Sequence, residues 1–127
     1  MRLTLDLTSG VPIYRQIRDA VVEGVAAGDL QPGEQLPTVR QLAGDLGINP
    51  MTVQKAYTLL KNEGLLVLDR RRGAHLTEMP GKRPDAAFQK KARLLLSEAR
   101  AQGVAREALE RLLQVEIEEL YGKEETK

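Results

Sequence analysis

The stretch that most constrains this chain is Gly47-Ile48-Asn49-Pro50. It parts two segments of helical period by only a few residues, so the flanking helices must cross rather than run on. Ahead of it, Val39, Leu42, Ala43 and Leu46 recur at helical spacing. Thr38 stands at the N-cap position with Gln41 three residues on, the spacing of a capping box. Gly47 supplies the left-handed residue that stops this helix. Behind it, Asn49 and Pro50 make a second cap and first-turn pair. Val53, Ala56, Tyr57 and Leu60 then set the inner face of a helix that ends at Gly64. Two short helices joined by a glycine-containing turn are the signature of a helix-turn-helix.

The flanking segments extend this motif. Leu3, Leu5 and Leu7 alternate with Arg2, Thr4, Asp6 and Thr8, a short period-two pattern that predicts an extended opening. A helix begins near Pro12, carries Ile13, Ile17, Val21 and Val25 on one face, and stops at Gly28. A turn over Asp29 to Gly33 follows. After Gly64, Leu65 to Leu68 reads as a buried strand, Asp69 to Gly73 as a loop, and Ala74 to Thr77 as the return strand of a hairpin, the wing. His75 falls on that return strand and is expected to pack partly against the domain.

Residues 80–85, Pro-Gly-Lys-Arg-Pro-Asp, read as a linker between a block at 1–79 and a block at 86–127. The second block is helical throughout, divided at Gly103. Phe88, Ala92, Leu95, Leu96 and Ala99 follow one helical spacing, and Leu109, Leu112, Leu113, Ile117, Leu120 and Tyr121 follow another. Two helices of this length cannot bury both stripes alone. Leu94, Leu95 and Leu96 together cover more than one face. The expectation is a homodimer formed through Phe88, Leu95, Leu96, Leu109, Leu112, Leu113, Ile117 and Leu120. The fold class is mainly α: a winged helix-turn-helix followed by a two-helix dimerisation segment.

Composition removes most chemistry. The chain of 127 residues has no cysteine and one histidine, His75, so thiolate zinc sites, cysteine nucleophiles and two-histidine metal sites within one chain are excluded. Ser9 and Ser97 are the only serines, and neither lies on a nucleophile elbow. No phosphate-loop or dinucleotide fingerprint occurs, so no cofactor, no metal and no enzymatic activity is expected. The longest apolar runs are four residues, such as Leu65 to Leu68, far short of a membrane span. Asp6 interrupts any apolar signal region, and the reading is cytoplasmic. Net charge is +1, yet residues 49–75 carry five cations against two carboxylates. That local basic patch points to nucleic acid.

With Val53, Ala56, Tyr57 and Leu60 turned inward, Met51, Thr52, Gln54, Lys55 and Thr58 face away. The major groove admits an α-helix and is read by side chains near its N-terminus. Gln bonds adenine twice, Thr touches a thymine methyl, and Lys reaches guanine or phosphate. Arg70, Arg71 and Arg72 at the hairpin tip suit phosphate or minor-groove contact, or else a solvated loop. Arg40 opposes the dipole of its own helix, so a surface ion pair or DNA must account for it. A winged helix also suits a protein-interaction module. The two readings part on whether Arg40, Gln54, Lys55 and the arginine tip share one surface.

Residues 12–68 resemble the DNA-binding domain of the GntR family of bacterial regulators. The resemblance rests on Pro32-Gly33 with Leu36-Pro37, Val39-Arg40-Gln41-Leu42-Ala43, Asn49-Pro50-Met51-Thr52-Val53, Ala56-Tyr57 and Glu63-Gly64-Leu65. The Asn-Pro-x-Thr-Val helix start and the short two-helix ending are similar to the YtrA subfamily. The resemblance implies that Arg40 lies on DNA. With the outward side of the third helix and the hairpin tip, the expected contacts are Thr38, Arg40, Asn49, Pro50, Met51, Thr52, Gln54, Lys55, Arg70, Arg71, Arg72 and Gly73. It departs where the family's wing reads Gly-x-Gly-Thr-Phe-Val, since this chain has Arg72-Gly73-Ala74-His75-Leu76. It departs again where many members carry arginine and this chain has Pro50 and Gln54. The implied function is a transcriptional repressor that binds double-stranded DNA as a homodimer on a roughly palindromic operator, as such regulators of transporter operons do. No small-molecule effector is assigned.

Overall fold

In the computed structural model, which describes residues 3–78, 81 and 83–122, both cap signals form as hydrogen bonds. The Thr38 hydroxyl accepts from the Gln41 N–H at 3.0 Å, and the Gln41 side chain accepts from the Thr38 N–H at 2.9 Å. The Asn49 side chain accepts from the Met51 N–H at 2.8 Å, with Pro50 in the first turn. Each such cap is worth about 1 kcal/mol. The order is α1 (Ile13–Ala27), α2 (Val39–Leu46), α3 (Pro50–Asn62), β1 (Leu66–Asp69), β2 (Gly73–Leu76), α4 (Ala86–Ala101) and α5 (Arg106–Tyr121). Gly28 and Gly47 close α1 and α2 in the left-handed region, at φ 83° and 66°. The fold is mainly helical, a winged helix-turn-helix followed by two helices. The chain divides into two compact units, one carrying α1 to β2 and the other α4 and α5.

The core of the first unit is built from the periodic residues. Ile17 and Val21 of α1, Leu42 and Ala43 of α2, and Val53, Ala56, Tyr57 and Leu60 of α3 are all buried, together with Leu66, Ala74 and Leu76 of the hairpin. Burying each large apolar side chain contributes about 1.5–3 kcal/mol. Tyr57 donates its hydroxyl to the Pro37 carbonyl at 2.7 Å. Burial pushes its phenol up to about 12. Arg18 grips Glu63 with two hydrogen bonds of 2.9 and 3.0 Å and reaches Asp19 at 2.9 Å. The Glu63 carboxylate raises the guanidinium pKa. This fork ties α1 to the C-terminal end of α3.

The wing has a third participant. β1 and β2 pair antiparallel, Leu66 with Leu76 and Asp69 with Gly73. On the other edge of β2, the Leu36 N–H donates to the Ala74 carbonyl and the Leu76 N–H donates to the Glu34 carbonyl, both at 2.8 Å. Held between two partners, β2 buries three successive residues, Ala74, His75 and Leu76.

Three expectations need correction. No strand forms over residues 3–8. Asp6 folds the chain into a turn by accepting from the Thr8 N–H and hydroxyl, and Gln16 bonds the Asp6 backbone from α1. Leu3 and Leu5 pack on the core while Leu7 stays 76% exposed. The first hairpin strand starts at Leu66, because the Leu65 N–H is taken by the Leu60 carbonyl at the end of α3. It is not buried throughout: Val67 and Leu68 are exposed, and the return strand runs Gly73–Leu76. Pro12 occupies the cap position of α1, not its first turn. Arg2, and Pro80 and Lys82 of the linker, lie outside the described residues.

In the second unit, the Asp85 side chain caps α4 by accepting from the Phe88 N–H at 2.8 Å. Gly103 turns the chain at φ 83°. No residue of α4 or α5 is buried. Among the described residues no helix is long and apolar enough to cross a membrane.

Candidate nucleic-acid interface

The turn at Gly47 and the Asn49 cap fix where α3 begins, and the four inner residues fix its rotation. Met51, Gln54, Lys55 and Thr58 are therefore exposed and Thr52 is half-buried. Met51 is 71% exposed. Gln54 Nε2 donates to Thr58 Oγ1, one turn further along the helix, at 3.3 Å. Lys55 Nζ lies 4.1 Å from the centroid of the Tyr14 ring of α1, within cation–π reach. Asn49 and Pro50 are exposed at the helix start.

Arg40 is exposed in the first turn of α2, two residues past the Thr38 cap, and forms no ion pair among the described residues. The surface-ion-pair reading of this arginine therefore finds no partner there. At the wing tip, Asp69 Oδ1 accepts from the Arg71 N–H at 2.8 Å. That bond, first among several causes, holds the Asp69 carboxyl below the usual carboxylate range. Gln35 Nε2 donates to the Arg72 carbonyl at 2.9 Å. Gly73 turns at φ 74°. The loop backbone is thus fixed from two sides while Arg70, Arg71 and Arg72 remain exposed.

Two open hollows connect these parts. Thr38, Gln54, Asp69, Arg70 and Gly73 line one, with Val39, Tyr57, Leu68 and Ala74 as its floor and walls. Ile13, Tyr14, Met51, Thr52, Gln54 and Lys55 line the other. Gln54 borders both. The cap of α2, the exposed side of α3 and the wing tip therefore meet around one side chain. His75 is not among the lining residues. It is buried in β2 opposite Val67 and Gln35, and its Nδ1 has no hydrogen-bond partner among the described residues. Among the described residues no three acidic or histidine side chains are placed to hold a metal ion.

The eight apolar residues assigned to self-association belong to α4 and α5 of the second unit. Phe88, Leu95, Leu96, Leu112, Ile117 and Leu120 are exposed, and Leu109 and Leu113 are half-buried. Leu94, Val115 and Tyr121 are exposed beside them.

A helix-turn-helix with a braced basic wing is a DNA-reading arrangement, and comparison with known proteins specifies which one. The family profile of bacterial regulatory proteins, gntR family, matches residues 13–76. The chain belongs to the GntR family. It is 38% identical to the HTH-type transcriptional regulator Rv1152 of Mycobacterium tuberculosis, over 82% of this chain and 84% of that one. It is 41% identical to the HTH-type transcriptional repressor YtrA of Bacillus subtilis over 60% of this chain, spanning 58% of that repressor. Among solved structures, a transcriptional antiterminator from Listeria monocytogenes superposes with TM-score 0.81 at 28% identity, covering 96% of this chain and 94% of that one. YtrA from Sulfolobus acidocaldarius, a GntR-family transcription factor, superposes with TM-score 0.67 at 36% identity, covering 78% and 97%. The DNA-binding domain of AraR in complex with operator ORX1 matches with TM-score 0.52 at 25% identity, covering 59% and 93%. The GntR chain described here is a DNA-binding transcriptional regulator, a non-enzymatic protein with YtrA-type relatives.

Two contributors to this GntR surface carry no mark in the spacing of the sequence. Tyr14 sits in the first turn of α1 and meets Lys55 only through the tertiary packing of α1 on α3. Gln35 braces the wing from a segment too short to show any period.

Proposed function

We propose that this GntR protein is a cytoplasmic homodimeric repressor that reads a roughly palindromic operator. The observation that carries the reading is the position of Gln54, which borders both hollows and so joins α3 to the α2 cap and the wing. In this reading the first unit, residues 1–79, binds DNA. The N-terminal end of α3 enters the major groove, where Met51, Thr52 and Gln54 meet base edges. Asn49 and Pro50 bring the first turn to a phosphate, a site that favours anions. Thr38, Arg40 and Lys55 contact the backbone on either side. Arg70, Arg71, Arg72 and Gly73 bring the wing to the adjacent groove. Phosphate contacts supply salt-dependent affinity, and α3 supplies specificity.

Residues 86–127 form the dimerisation segment, joined through 80–85. Support comes from α4 and α5, which carry large apolar side chains and bury none of them. Two-fold pairing through Phe88, Leu95, Leu96, Leu109, Leu112, Leu113, Ile117 and Leu120 would cover that surface. Repression follows the name of the Bacillus subtilis relative, and a transporter operon is the target that the YtrA resemblance implies. Selection of bound duplexes from random DNA by the full-length chain tests the reading. It predicts two inverted half-sites with centres about one helical turn, or a multiple of it, apart. Enrichment of a single unrepeated site would contradict the homodimer, and no enrichment would contradict operator reading.

A further inference from the structure

We propose that Tyr14 is a positioning residue that holds Lys55 at the α1 edge of the recognition helix, so that Lys55 bonds the DNA backbone and not a base. The inference rests on the DNA-reading face proposed above. Lys55 and Gln54 are neighbours in sequence but serve different hollows. Gln54 borders the hollow toward the wing as well as the one toward α1, whereas Lys55 lines only the latter, with Ile13 and Tyr14. The Lys55 ammonium lies over the Tyr14 ring at 4.1 Å, and no carboxylate pairs with it among the described residues. Its charge is therefore uncompensated and held in place at once.

The platform under it is rigid. Tyr14 is half-buried and packs on the core, and the Arg18–Glu63 fork fixes α1 against α3. A lysine side chain is otherwise a flexible stem carrying a point charge. An ammonium has three N–H donors. With one side of it against the ring face, the outward donors remain for an acceptor. A guanine reader must reach inward to the groove floor, and a group drawn back to the edge of α3 meets the phosphate wall instead. The ring face, not the phenol hydroxyl, does the holding.

The test uses the full-length chain and a labelled duplex that this chain enriches from random-sequence DNA, with an unrelated duplex as comparison. The variants are Tyr14→Phe, Tyr14→Leu, Lys55→Met and the pair Tyr14→Leu with Lys55→Met, each checked for its thermal midpoint. Lys55→Met is expected to weaken both duplexes by the same factor and to lower the slope of log affinity against log salt by about one per chain. Tyr14→Leu should weaken binding about two- to five-fold, the range of an exposed cation–π contact. Tyr14→Phe should bind like the unaltered chain, and Tyr14→Leu should cost nothing further once Lys55 is Met. Three results would each overturn the inference: Tyr14→Phe as damaging as Tyr14→Leu, an equal cost of Tyr14→Leu in both backgrounds, or a Lys55→Met loss confined to one base position. Failure of the chain to enrich any duplex would contradict the proposed function itself, and the inference with it.

Discussion

Tyr57 shows how a single buried side chain sets α3 against the segment that leads into α2. It fills the space behind α3 and its hydroxyl satisfies the Pro37 carbonyl just ahead of the Thr38 cap. Tyr57→Phe removes that bond and leaves the acceptor short of a partner, at a cost of about 1–2 kcal/mol in unfolding free energy. The phenol also ties stability to pH. Its pKa rises from 10.0 to about 12 on folding, so the neutral form is favoured in the folded chain. The stabilisation is complete below pH 10 and is lost as pH climbs through about 12. Chemical denaturation of the two proteins across this window should show their difference in stability shrinking with rising pH. A constant difference would contradict the burial of the phenol.

At the scale of elements, the wing is a loop fixed through its backbone so that its charges stay free. Arg71→Ala with Arg72→Ala should weaken binding to all sequences about equally and lower the salt slope by about one per lost phosphate contact. An unchanged affinity and slope in fluorescence titrations would make the arginine tip a solvated loop. The helix-turn-helix was legible in the sequence because its signals are local: Thr38 with Gln41, Gly47, and Asn49 with Pro50 each act within a turn of where they stand. The exposed side of α3 was legible for the same reason, since four buried residues at helical spacing leave no other choice for Gln54 and Lys55. What could not be read depends on long-range pairing. Residues 34–36 join the wing edge through only a few backbone bonds, and Arg18 meets Glu63 from far along the chain. The alternating leucines at the start carry a strand's period but find no partner strand among the described residues, and the turn at Asp6 prevails.

For the whole molecule, the proposed dimer joins two such faces. Leu113→Asp with Ile117→Asp places unpaired charge in the proposed interface. Sedimentation should find this variant monomeric where the unaltered chain is dimeric. Its affinity for a full operator should fall by orders of magnitude, because two linked half-site contacts become independent ones. In the proposed dimer α3 reads bases from two symmetric copies, and a second selection from random DNA with Gln54→Ala probes that reading itself. Alanine preserves the helix. The expected outcome is loss of preference at one position in each half-site, symmetrically, with a penalty of about 1–3 kcal/mol removed there and the other positions unchanged. An unaltered site, or a uniform loss of preference across it, would contradict that claim.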